Sequence, residues 1–167
     1  MKDIAAELKI LQVIKNIDAR SHLLYLSLMS CILLLQNFAI SSILAPALNQ
    51  KDNSQLVFDD FSIPILFPIF FSPLFETLIF QAAAVWVLQL FDVKEMKIIL
   101  ISGLIFGLVH FMGSHYLIVV FSAIFAGILF SGMYLYRLKR SGFIWAVADV
   151  TFVHAINNIV IFIDTFQ

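Results

Sequence analysis

The chain has 167 residues, 62% of them hydrophobic and 13% charged, where a soluble domain carries roughly 25% charge. That balance excludes a soluble globular protein and points to a single-domain polytopic membrane protein. The net charge of −1 carries little information; the placement of the charges carries more.

Residues 1–20 predict an amphipathic helix. Ile4, Leu8, Leu11 and Ile14 recur at helical spacing, with most charges on other faces. It is too polar to span, so it either lies in the membrane interface or packs on the bundle. Its charges are spread throughout, unlike a secretory signal. Residues 21–167 form the transmembrane domain. The first span is expected over 23–48. It contains the single cysteine, Cys31, which reads as a small core residue and excludes an internal disulfide. A polar loop follows over 49–60.

Residues 61–91 are almost wholly apolar but carry Pro64, Pro68 and Pro73. Proline lacks the amide donor and breaks the helical ladder. The expectation is a short or re-entrant piece over 61–72, then a helix over 74–91 with Pro73 just ahead of it. After a polar turn at 92–95, further spans are predicted at 96–112, 115–136 and 141–163. The basic run Arg137 to Arg140 separates the last two. The fold class is all-α: a helix bundle with about five transmembrane helices plus the N-terminal amphipathic helix.

Orientation follows from the basic residues. Five crossings put Lys2, Lys9, Lys15, Arg20, Lys94, Lys97, Arg137, Lys139 and Arg140 on one side and only Lys51 on the other. The N-terminus is therefore expected in the cytoplasm.

Few strongly polar groups fall at membrane depth. Glu76 is the only charge in residues 61–91, and an ionisable group in such a segment is a functional-site candidate by default. Gln81, His110, Asp149, His154, Asn157 and Asn158 join it, with softer Thr77 and Thr151. At 1.5 Å per residue, Glu76 lies roughly 22 Å from the cytoplasmic end of its span, and His110 and His154 lie roughly 20 Å from theirs. One shared level on three helices predicts one pocket. His154 and Asn158 share a helical face. Asp149 is half a turn away from Asn158, so it should cap or bond another helix, or face a cytoplasmic water cavity. Gly103 and Gly107 would admit a second backbone close to His110, and Ala123, Gly127 and Ser131 form a similar stripe. Both stripes read as packing. Gln36 and Asn37 read as helix–helix or interfacial contacts, Gln89 likewise, and His115 as an interfacial residue.

Glu76-Thr77-x-x-x-Gln81, Phe106-Gly107-Leu108-Val109-His110 and His154-Ala155-Ile156-Asn157-Asn158 stand in this order on separate spans. They resemble the three motifs of the CPBP (Abi) family, written EExxxR, FxxxH and HxxxN or HxxxD. That family includes the type II CAAX prenyl endopeptidases and the bacteriocin-processing and immunity proteins. The resemblance covers about residues 70–160. It implies an intramembrane endopeptidase that hydrolyses a peptide bond in a membrane-associated or lipid-modified substrate, CAAX-like or a leader peptide. Glu76 would activate water, His110 would position it or pass protons, and His154 and Asn158 would donate to the oxyanion.

Thr77 and Gln81 stand where the second glutamate and the arginine are expected. That reads as exchange of a buried ion pair for a neutral polar pair at i, i+4. The glutamate route needs no cofactor. Zinc held by Glu76, His110 and His154 is the alternative. A reading from another class is a catalytically silent relative acting as a bacteriocin immunity or binding protein. A small transporter is a third reading, disfavoured because the chain shows no internal repeat. The expected partners are the lipid bilayer and a peptide or protein substrate, possibly prenylated, with no nucleic acid. The expected location is a bacterial inner membrane.

Overall fold

The computed structural model describes residues 2–48, 66–114 and 116–164. Five helices account for nearly all of them: α1 (Lys2–Ala47), α2 (Phe67–Leu90), α3 (Glu95–Ser114), α4 (Leu117–Ser141) and α5 (Phe143–Asp164). Each contains a stretch long and apolar enough to cross a membrane. The bundle is all-α, as composition and periodicity predict. The loop over 49–60 and His115 lie outside the described residues, as do the faces of residues 2–20.

The N-terminal helix and the first span are one element, since α1 runs unbroken from Lys2 to Ala47. One expectation about the backbone needs correction: the prolines do not divide the second hydrophobic stretch within the described residues, and α2 is continuous from Phe67 to Leu90. The reason lies in hydrogen-bond register. Residues Phe67–Phe71 form a π-helical turn in which the Ser72 amide reaches back five residues to the Phe67 carbonyl. A wider turn draws the carbonyls away from the ring of Pro73, which in an α-helix would clash with the carbonyl four residues before it. A second π-helical stretch follows over Thr77–Ala83. Glu76 ends the short α-helical segment between the two.

The widened turn leaves one loose end. In π register the donor facing the Pro68 carbonyl would be the amide of Pro73, which has none. The side chain of Asn158 supplies it, with Nδ2 donating to Pro68 O at 2.8 Å. A proline on α2 is thus compensated by an amide on α5.

The tightest seam joins α3 and α4. A β-carbon built on Gly103 would meet the Ile128 backbone nitrogen at 2.9 Å, and one on Gly107 would meet the Val120 carbonyl at 2.9 Å. Gly127 answers from α4, its β position lying 3.0 Å from the Gly103 Cα. The small-residue stripes are therefore packing devices, as the sequence reading holds. Phe106, Phe130, Ile98, Val150, Val153 and Leu33 fill the core behind the seam. Leucine and phenylalanine side chains such as Leu24, Leu35, Phe38 and Phe91 point outward, as a lipid-facing surface requires. Cys31 points outward too, so its reading as a core residue is wrong. A small thiol suits either environment, and the apolar composition of the span does not tell the two faces apart.

At the end of the bundle where α4 turns into α5, Gly142 makes the connection alone. Its φ of +86° is open to glycine, and its amide closes the last turn on Leu138 O at 3.1 Å. Below that turn Asp149 is buried in an ion pair with Arg137 Nε. Asp149 also receives His22 Nε2 at 3.0 Å from each carboxylate oxygen. It bonds two other helices, α4 and α1, which is one of the alternatives open to it from the sequence.

Candidate active site

Glu76 is placed by its own helix. Ser72, one turn earlier on α2, donates its hydroxyl to Oε1. Oε2 has no hydrogen-bond partner among the described residues. It faces His110 Nε2 at 3.8 Å and His154 Nε2 at 3.7 Å. The three side chains come from α2, α3 and α5, so the convergence expected from their common depth is present. Both gaps exceed direct hydrogen-bond length and suit one bridging water.

The two imidazoles are held differently. His110 Nδ1 lies 2.8 Å from the carbonyl of Phe106, one turn back. A carbonyl only accepts, so Nδ1 carries a proton, which leaves Nε2 as the nitrogen that can present a lone pair to the pocket. For His154 the buried Nδ1 has no partner among the described residues. Its proton is better placed on Nε2, pointing toward Glu76. One histidine accordingly offers an acceptor and the other a donor. Phe106 packs between them, its ring centroid 4.4 Å from that of His110 and 5.9 Å from that of His154. Phe130 closes over His154 at 4.6 Å.

These groups line a pocket of about 270 Å³. Its opposite wall is amide-rich. Asn37 on α1 donates to Asn157 Oδ1 at 2.6 Å. Ser122 on α4 donates to Asn37 Oδ1, and Gln36 Nε2 reaches the Ser122 carbonyl at 3.3 Å. Gln36 and Asn37 are helix–helix contacts, as expected, but Asn37 also faces the pocket. Asn158 lines the pocket while its amide is engaged with Pro68. Asp149 is not among the lining residues.

Thr77 and Gln81 behave otherwise. Both are fully buried, outside the pocket lining. The Thr77 hydroxyl and both polar atoms of Gln81 lack hydrogen-bond partners among the described residues. The neutral polar pair read from their i, i+4 spacing is therefore not formed. That spacing stacks two side chains in an α-helix, but residues 77–83 are π-helical and the register differs.

Several residues of the site escape a sequence reading. Ser72 carries the signal that could have found it, since it lies four residues before Glu76. Phe106 stands in a motif, but its part in orienting His110 needs the ring geometry. Ser122 and Pro68 carry no comparable signal.

A family model described as type II CAAX prenyl endopeptidase Rce1-like matches residues 59–160. The chain belongs to that family. The match covers well over half of the sequence, so the membership inferred from the three motifs holds. In this Rce1-like chain the matched region takes in Glu76, His110, His154 and Asn158. Asn37 of α1 lies outside it, so one wall of the pocket comes from beyond the matched segment. Neither a search of curated proteins nor one of solved structures returns a match.

Proposed function

We propose that this Rce1-like protein is an intramembrane endopeptidase that hydrolyses a peptide bond of a membrane-associated, prenylated or otherwise lipid-modified peptide. The observation that carries the reading is the uncommitted Glu76 Oε2 between two imidazole nitrogens at 3.7 and 3.8 Å. A water in that gap can give one hydrogen to Oε2 and the other to His110 Nε2. Its oxygen is then free to attack the peptide carbonyl, and Glu76 takes its proton. Oxygen-to-carbon bond formation leaves an oxyanion, toward which the Nε2–H of His154 donates; such a donor is typically worth about 3–4 kcal/mol. Collapse breaks the carbon–nitrogen bond, and the proton held by Glu76 passes to the leaving amine. The amides of Asn37 and Asn157 offer hydrogen bonds to the substrate backbone. Asn158, expected beside the oxyanion, acts at least in part by anchoring the Pro68 turn and so the helix that carries Glu76.

A resident zinc ion would use Glu76, His110 and His154. His110 suits that role, because its second nitrogen is oriented by a carbonyl as in most zinc sites. His154 does not, since its Nδ1 has no such partner among the described residues. The three residues together therefore do not fit a resident zinc ion. The nine-to-one distribution of basic residues supports an N-terminus in the cytoplasm, and the resemblance to bacterial members supports a bacterial inner membrane.

Cleavage of a prenylated peptide by protein reconstituted in vesicles tests the reading. Glu76→Gln keeps the shape and removes the base, so turnover should fall at least about 10²-fold. Full cleavage by that variant would overturn the mechanism. A biological effect that survives both Glu76→Gln and Glu76→Ala would favour the silent immunity or binding reading, for which the neutral Thr77 and Gln81 are the supporting observation.

A further inference from the structure

A second cavity of about 330 Å³ lies at the other end of the bundle. It is distant from the Glu76 pocket: His22, which lines it, is fifteen residues and roughly 22 Å along α1 from Asn37. Its walls come from the start of the first span, the last turn of α4 and the first turn of α5. Arg137, Arg140, Tyr136, Ser141, His22 and Trp145 face it.

The charges in this cavity do not cancel. Arg137 is tied to buried Asp149, and its Nη2 lies 3.4 Å from His22 Nε2. Arg140 stands at the exposed rim, where its Nη1 donates to the neutral Tyr136 hydroxyl at 3.3 Å. Among the described residues no carboxylate pairs with it. Two guanidinium groups against one carboxylate leave a net positive charge. Guanidinium forks and hydroxyl donors together suit the oxygens of a phosphate group.

Depth supports the same ligand. Trp145 is 55% exposed, and Phe143 and Ile144 beside it are also exposed. The cavity opens where the apolar spans end and the basic run begins. Tryptophan and tyrosine favour this level, beside lipid headgroups. A basic pocket between transmembrane helices at that height is suited to an anionic headgroup.

We propose that this cavity binds a phosphate group, with Arg140 and Arg137 as the principal cationic contacts. A phosphodiester lipid headgroup and a soluble phosphate share that chemistry, and the test separates them. Trp145 is the reporter. The other tryptophan, Trp86, lies on the outer face of α2 and is replaced by Phe. The protein is reconstituted in phosphatidylcholine vesicles containing a minor fraction of phosphatidylglycerol, with bromine on the acyl chains of one lipid or the other. Brominated phosphatidylglycerol should quench Trp145 more strongly than brominated phosphatidylcholine. Arg140→Gln should reduce that preference about five-fold, the contribution of one basic residue near an anionic surface.

Lys139→Gln is the control. It removes the same charge from the neighbouring position, where Lys139 pairs with Glu95 outside the cavity, and should leave the preference intact. If inorganic phosphate abolishes the preference while chloride at equal ionic strength does not, the site is a phosphate pocket open to the soluble ion. If the preference survives phosphate, the occupant is the lipid. Equal quenching by the two lipids overturns the proposal, as does an equal loss in the Lys139 and Arg140 variants.

Discussion

The α3–α4 seam makes a prediction that can be worked through glycine by glycine. An alanine at Gly107 would place its β-carbon 2.9 Å from the Val120 carbonyl, against an ordinary contact of 3.4 Å or more. Relief requires the two helices to separate by roughly half an ångström. Overpacking of this kind costs about 1–3 kcal/mol. Alanine's higher helix propensity returns up to about 1 kcal/mol. The net expectation for Gly107→Ala is a loss of about 1–2 kcal/mol, read as a lowered unfolding midpoint in detergent micelles. Gly103→Ala and Gly127→Ala should behave alike. Gly113, with nothing within 4 Å of its β position, and Gly132, whose nearest neighbour is at 3.9 Å, serve as internal controls; alanine there should be neutral or stabilising. The same displacement moves His110, three residues beyond Gly107, out of its register with Glu76 on α2. A misplacement of 1 Å can cost about 10²-fold in rate, so cleavage by Gly107→Ala should fall about ten-fold. The reasoning is refuted if Gly107→Ala melts and cleaves like the parent, or if Gly113→Ala is damaged as severely.

Arg137→Gln leaves His22 as the remaining partner of the buried Asp149 carboxylate and should destabilise by up to about 3–5 kcal/mol, whereas Arg137→Met with Asp149→Leu should cost less than the single change; equal losses would show the pair is not coupled. His154→Ala should reduce kcat about 10²–10³-fold with KM little changed, as loss of an oxyanion donor does; a pure KM effect would assign His154 to binding. Asn158→Ala leaves the Pro68 carbonyl without a donor and should cost about 1–3 kcal/mol in thermal unfolding. An unchanged midpoint would show that water serves equally well. Dialysis against a chelator, with metal content measured before and after, should leave cleavage intact; loss of activity that zinc restores would replace the glutamate route.

Much of the architecture is legible because membrane spans declare themselves by composition. Glu76, His110 and His154 were also legible, since lone polar groups in apolar helices stand out and helix rise converts position into depth. What the sequence hides is register. Pro68 and Pro73 suggest a break, yet a π turn carries the helix past them, and the amide that completes it comes from Asn158, 90 residues away. The same widening separates Thr77 from Gln81, whose spacing predicts a pair. Asn37 was visible as a polar residue in an apolar span. Its place in the pocket wall depends on how α1 rotates against α4 and α5, and no local pattern records that rotation. The outward aim of Cys31 was hidden for the same reason.

That outward-facing cysteine has a practical consequence. It is the chain's only thiol, and it sits about 15 Å into the hydrocarbon from Ser21. Water-soluble maleimides are polar and do not enter that apolar setting, so they do not reach the thiol. The native protein is therefore a silent background for topology mapping. A single cysteine introduced at Asp92 or Lys94, in the turn at the basic end, would report by its labelling from one side of a sealed vesicle which way the bundle points, with the native thiol left in place.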